Sequence, residues 1–98
     1  DVVEFHPSYH ALMGAALRHG LHATPWSRQD TGHAHVERAA GFMLFTEAEP
    51  SILCPVSMSY AVTPALRGNG AVWADWNKGL TRASHCSRRN PRSPWAWA

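Results

Sequence analysis

The chain has 98 residues with 45% hydrophobic and 16% charged side chains, which suits one small folded domain rather than a disordered segment. A domain of this size buries roughly two-thirds of its unfolded surface, enough for a modest core. The net charge of +2 conceals a break: up to residue 77 seven acids face four bases, whereas Lys78, Arg82, Arg88, Arg89 and Arg92 follow with no acid. No apolar run approaches the roughly 20 residues of a membrane helix, so no membrane partner is expected.

No basic-then-apolar start marks a signal peptide. The sequence starts with Asp1 rather than Met, so it is expected to begin inside a longer chain. Cys54 and Cys86 make neither a metal pattern nor a disulfide framework. They read as free thiols in a reducing compartment, which places the protein in the cytoplasm.

In chain order, residues 1–5 read as an extended lead-in. Pro7 suits the first position of a helix, where its missing N–H costs nothing. Tyr9, Leu12, Met13, Ala16 and Leu17 then recur on one face, with Arg18 and His19 in the last turn and Gly20 just beyond it. Residues 21–30 read as a connection whose Trp26 packs over the helices. Thr31 is the expected cap of a second helix from about residue 32 to 49, stopped by Pro50. Val36, Ala39, Ala40 and Met43 form one apolar stripe of it, and Phe42 and Phe45 a second, so burial on two sides is expected.

A third helical segment spans residues 51–66, starting at Pro55 and kinked or thinned by Pro64. Val56, Met58, Tyr60, Ala61, Val62 and Leu66 surround it nearly completely, which predicts a central position. After a Gly68-Asn69-Gly70 loop, Val72, Trp73, Trp76 and Leu80 support one more short helix, with both tryptophans read as core. Beyond Leu80 the period is lost, and residues 83–98 are expected to be a disordered basic tail. The expected fold is therefore all-α, with three to four helices over residues 1–82.

Residue by residue, no chemistry assembles. His6 and His10, His19 and His22, and His33 and His35 fall at short spacings, but the HExxH form fails because Pro7 follows His6 and no Glu lies between the pair. Glu47 and Glu49 point about 200° apart on a helix and make no catalytic pair. Cys54 sits near a helix N-terminus with no adjacent base. Ser57 and Ser59 lack the setting of a nucleophile, and residues 68–70 are too short for a phosphate loop. Two readings of the residues stay open beside a helical fragment. One is a small DNA-binding protein using the basic tail, although no helix-turn-helix pattern is present. The other is a histidine-rich metal-binding module.

Three stretches carry a resemblance: Val3-Glu4-Phe5-His6-Pro7-Ser8-Tyr9-His10-Ala11-Leu12-Met13, Ala34-His35-Val36-Glu37-Arg38-Ala39-Ala40-Gly41-Phe42-Met43-Leu44, and Leu53-Cys54-Pro55-Val56-Ser57-Met58-Ser59-Tyr60-Ala61-Val62-Thr63-Pro64-Ala65-Leu66. In this order and spacing residues 1–82 resemble the N-terminal region of the adaptive-response (AidB-like) branch of the acyl-CoA dehydrogenases. The resemblance implies a parent with an N-terminal helical domain, a middle β-domain and a C-terminal helical bundle. It implies FAD, held mainly by the two later domains, and oxidation of acyl-CoA thioesters at the α,β carbons. A carboxylate of the C-terminal domain removes the α-proton and flavin N5 takes the hydride. It also implies a homo-oligomer and a link to DNA alkylation, with duplex DNA bound through the C-terminal region.

None of those functional residues has a counterpart here. No catalytic, cofactor-binding or metal-ligating residue is expected, and the chain alone is expected to be inactive and to bind no FAD. Its apolar exterior would face the missing domains.

Two departures stand out. Gly41 occupies a helix position where a larger side chain is expected, and the family's Tyr-Asp continuation is absent after Arg82. The tail is expected to be a frameshift product. Trp95-Ala96-Trp97-Ala98 is encoded TGG-GCN-TGG-GCN, and one frame over this reads NTG-GGC-NTG-GGC. That frame alternates Gly with Met, Leu or Val, like the Gly-Met-Gly-Met-Thr run of the family. A following Met-Thr would place a stop in the present frame directly after Ala98.

Overall fold

The computed structural model describes residues 3–28 and 32–81. The expected cap Thr31, the tail 83–98, Cys86 and the proposed frame change all lie outside the described residues. Among those described, five α-helices and one 3-10 turn form an all-α fold with no strand.

Helix α1 spans Pro7–Arg18, with Pro7 in its first turn as expected. His6 is its cap: the ring Nδ1 accepts a hydrogen bond from the Ser8 amide at 3.1 Å. The C-terminal end closes as a Schellman motif. The Gly20 N–H donates to the Leu17 carbonyl at 3.0 Å and the Leu21 N–H to the Ala16 carbonyl at 3.1 Å. That closure needs Gly20 at φ 69°, a left-handed conformation a side chain resists. A Cβ there would also collide with the Thr24 hydroxyl.

The expected connection contains a short helix, α2, Thr24–Ser27. Its four residues raise the count above the three to four helices expected. Periodicity does not register a single turn.

Helix α3 spans Ala34–Ala48, beginning about two residues after the expected start, with His33 as cap residue. Glu49 ends it and organises the 3-10 turn Pro50–Ile52, its Oε1 accepting from the Ser51 N–H at 2.9 Å. That bond holds the exposed Glu49 carboxyl below the ordinary glutamate range.

Helix α4 spans Leu53–Arg67. It starts two residues before Pro55, because the first four N–H groups of a helix have no intrahelical partner and proline is tolerated throughout that turn. Helix α5 spans Gly70–Leu80, capped by Asn69, whose Oδ1 accepts from the Val72 N–H at 3.2 Å.

The core comprises Met13, Ala16, Leu17, Leu21, Ile52, Leu53 and Val56, with Tyr9, Leu12, Phe42 and Phe45 packed against it. Two expectations about burial are corrected. Val36, Ala39, Ala40 and Met43 face solvent, so only the Phe42 and Phe45 side of α3 packs. Trp76 is 42% exposed and Met58 67% exposed, so neither is interior, whereas Leu80 of α5 is buried. The described chain has one small core, and five helices present more apolar surface than that core can absorb.

Gly41 has a packing reason. A Cβ on it would stand 2.6 Å from Leu21 Cδ2, and Leu21 is 3% exposed. Gly41→Ala gains about 1 kcal/mol of helix propensity but overpacks this contact, at a typical cost of about 1–3 kcal/mol. Net destabilisation is expected, seen as a lower urea midpoint of the helical circular dichroism signal. A higher midpoint would show that Leu21 moves aside freely.

Candidate functional site

Pro64 has no N–H, so the carbonyl four residues before it, that of Tyr60, loses its helix donor. Trp26 fills the vacancy. Its indole Nε1–H donates to the Tyr60 carbonyl at 2.8 Å, and its ring stacks on the Tyr60 ring with centroids 4.9 Å apart. The expected packing of Trp26 over the helices is thus a specific bond to a proline-made gap. One turn of α4 is further tied by Thr63 Oγ1, which donates to the Ser59 carbonyl at 3.3 Å.

Around this pair gathers a cluster of rings and guanidinium groups. Arg38 Cζ lies 3.7 Å from the Tyr60 ring centroid and 5.1 Å from that of Phe42, and its Nε donates to the Leu21 carbonyl at 2.7 Å. Partial burial pushes the Arg38 pKa down, and the Tyr60 phenol opposes that shift. Arg67 donates to the Trp26 carbonyl at 2.8 Å and sits over the Trp26 and Trp73 rings, 5.7 and 5.2 Å from their centroids. His35 Nδ1 and the Tyr60 hydroxyl share a 3.0 Å hydrogen bond. Arg28 and Glu37 form an exposed ion pair at 3.4 Å, a contact worth little in water.

The cluster spends its polar groups on one another and on backbone carbonyls. It ties α2 and α3 to α4.

Two concavities of the described fold lie apart from this cluster. A groove of about 460 Å³ runs between α4 and α5, lined by Met58, Ser59, Val62, Leu66, Trp76 and Leu80. Five of these six side chains are apolar. A smaller hollow of about 270 Å³ lies beside α3 and is lined by His19, Leu21, Glu37, Gly41, Leu44 and Phe45.

The residues weighed from the sequence are dispersed. His6 caps α1 and His33 stands at the start of α3. His10 packs edge-on against Phe5 and Tyr9, and His22 is buried at 1% exposure. Among the described residues no three His, Cys, Asp or Glu side chains gather into a metal-sized group. Cys54 is exposed, Glu47 is exposed, and Glu49 is engaged with Ser51.

Ser59 is buried at 8% and borders the groove. Asn69 serves as the cap of α5, so the loop at residues 68–70 is helix punctuation. Periodicity missed the Arg38–Tyr60 contact. The signal available was a cation at i+4 from Ala34 and i−7 from Phe45, on the same side as the packed residues of α3.

The sequence from residue 1 to 86 matches the family model described as the adaptive response protein AidB N-terminal domain. The chain belongs to that family. It is 40% identical over 81 residues to the Escherichia coli (strain K12) protein named "Putative acyl-CoA dehydrogenase AidB". That match covers 82% of this chain and 15% of the relative, so the chain spans a small part of the relative's length. No solved structure matches the chain significantly. The all-α expectation and the assignment to an AidB-like N-terminal region both agree with these findings.

Within an AidB N-terminal domain, the Trp26 bond to Tyr60 ought to be coupled to Pro64. Trp26→Phe leaves the Tyr60 carbonyl without a donor, at a cost of about 1–3 kcal/mol. In a Pro64→Ala background the residue 64 amide supplies that donor, and the same Trp26→Phe change should cost at least about 1 kcal/mol less. Urea titration of the four proteins measures the coupling. Equal costs in both backgrounds would mean that the indole holds α4 by its ring alone.

Proposed function

We propose that this chain is the N-terminal helical piece of an FAD-dependent, acyl-CoA dehydrogenase-like oxidoreductase of the DNA alkylation response type. In this reading it is inactive alone and serves as a docking domain for middle β and C-terminal helical domains. The groove between α4 and α5 carries the reading. Met58 and Trp76 are large apolar side chains left 67% and 42% exposed beside it, on a chain that spans 15% of an acyl-CoA dehydrogenase-named relative. Exposed apolar surface of this kind is ordinarily covered by protein.

The groove does not fit FAD. A flavin dinucleotide carries a diphosphate that needs cations or clustered N–H donors. The groove offers five apolar side chains and Ser59. Flavin chemistry would therefore belong to the remainder of the parent protein, and no catalytic role falls on this chain's residues. The proposed parent is a cytoplasmic homo-oligomer that engages duplex DNA through its later domains. Among the described residues no helix is long and apolar enough to cross a membrane.

We extend the proposal to the tail, as a product of a changed reading frame. The family match stops at residue 86 while the sequence runs to Ala98. Sequencing the gene past codon 82 tests this. An alternative frame encoding a Gly-Met-Gly-Met-Thr-like run supports it. Stop codons in that frame would overturn it and return the basic tail to candidacy as a nucleic-acid arm.

The purified chain is expected to be colourless and to retain no flavin absorbance after incubation with FAD and desalting. Stoichiometric retained flavin would overturn the docking-domain reading.

A further inference from the structure

We propose that Asn69 is a site of spontaneous deamidation, and that its conversion to isoaspartate loosens the N-terminal end of α5 at the link between α4 and α5. The proposal rests on the Asn69-Gly70 pair and its surroundings, and holds whatever covers the α4–α5 groove.

The chain has three asparagines, Asn69, Asn77 and Asn90. Deamidation begins when the backbone nitrogen of the following residue attacks the side-chain amide carbon. Asn90 precedes Pro91, whose nitrogen has no proton to lose, so this route is closed there. Asn77 is half-buried in α5 and precedes Lys78, whose nitrogen lies inside the helix beside a Cβ. Asn69 differs on each count. It precedes Gly70, and both residues are exposed. A Cβ on Gly70 would meet nothing within 4 Å beyond its own helix and chain neighbours. Gly70 is also the first residue of α5, where an N–H has no intrahelical acceptor. Its nitrogen is therefore neither shielded by a side chain nor held by the helix.

The target carbon is prepared as well. Asn69 Oδ1 accepts from the Val72 N–H at 3.2 Å, a bond that draws electron density from the amide carbon. In the reaction the Gly70 nitrogen bonds to Asn69 Cγ and gives up its proton. The Cγ–Nδ2 bond breaks and Nδ2 leaves as ammonia. Water then opens the five-membered imide. Opening at Cγ gives aspartate. Opening at the main-chain carbonyl gives isoaspartate, in which the backbone runs through the former side chain and gains a methylene. No oxidant or reductant is needed.

The two products differ at the cap. Aspartate keeps the acceptor for Val72 and adds a negative charge to a helix start whose first turn holds no acid, a favourable change. Isoaspartate moves both acceptors that Asn69 supplies: Oδ1 for the Val72 N–H, and the main-chain carbonyl, which takes the Trp73 N–H at 2.9 Å. Gly68 and Asn69 alone join α4 to α5, so the added methylene falls on the hinge between Leu66 and Trp76, which line the groove from its two sides.

Incubating the 98-residue chain in mildly alkaline native buffer tests this. Trypsin releases residues 68–78 as one peptide carrying both Asn69 and Asn77, and fragmentation places the gain of about 1 Da that replaces NH2 by OH. The gain is expected at residue 69 at least about ten-fold faster than at residue 77, with isoaspartate detected there by an isoaspartate-specific methyl-transfer assay. Gly70→Ala should slow the gain about ten-fold while the fold is kept, because a Cβ hinders the attack and has open space to occupy. Hydrogen exchange at the Val72 and Trp73 amides should quicken at least about ten-fold in the isoaspartate form and stay slow in Asn69→Asp. Equal rates at Asn69 and Asn77, or a rate that Gly70→Ala leaves unchanged, would overturn the site. Exchange that is the same in the isoaspartate form and in Asn69→Asp would overturn its effect on α5.

Discussion

One missing hydrogen organises much of this molecule. Pro64 sits inside α4 and withdraws a donor from the Tyr60 carbonyl. An orphaned carbonyl would weaken or bend the helix. The indole of Trp26 supplies the donor from another part of the chain, 34 residues away. Once Trp26 is fixed, its ring, its carbonyl and its neighbour Tyr60 become the platform for Arg67, Arg38 and His35. The four-residue helix α2 is too short to persist by itself. It persists because its tryptophan closes the gap in α4, and Arg67 at the end of α4 answers by binding α2 in return.

The same arrangement gives the cluster a role in holding helices together. Here the guanidinium groups lie on ring faces and donate to carbonyls, and the imidazole of His35 is bonded to a phenol. The cluster holds helices together, and the separate groove between α4 and α5 is lined by five apolar side chains and Ser59.

Apolar surface is the second constraint. A single small core cannot cover every apolar face of five helices. Leu17, Ile52 and Val56 reach full burial, whereas Val36, Met43, Leu44, Met58 and Trp76 do not. The two uncovered regions differ in character. The α4–α5 groove is concave and nearly all apolar. The α3 face carries Val36, Ala39, Ala40 and Met43, all exposed, on the side of that helix away from the core.

Helix identity was legible in the sequence because it rests on local rules. Pro7, Gly20, Pro50 and Asn69 punctuate the chain through their own backbone chemistry, and the Met13, Ala16 and Leu17 face follows from a 3.6-residue period. The family was legible as well, since runs such as that from Leu53 to Leu66 survive in order and spacing. Pro55 as the start of α4 was misread by two residues, because an entire first turn tolerates proline. Periodicity also could not tell which of two apolar faces of α3 would be inside. Both stripes satisfy the same pattern, and the choice was made by where Leu21 and Tyr60 come to rest. Nor could it join Trp26 to Pro64, or show that Gly41 makes room for Leu21. Sequence determined where helices begin, end and carry apolar residues, because those depend on neighbours along the chain. Tertiary structure alone decided which faces meet, because a carbonyl freed by one proline finds its donor only in three dimensions.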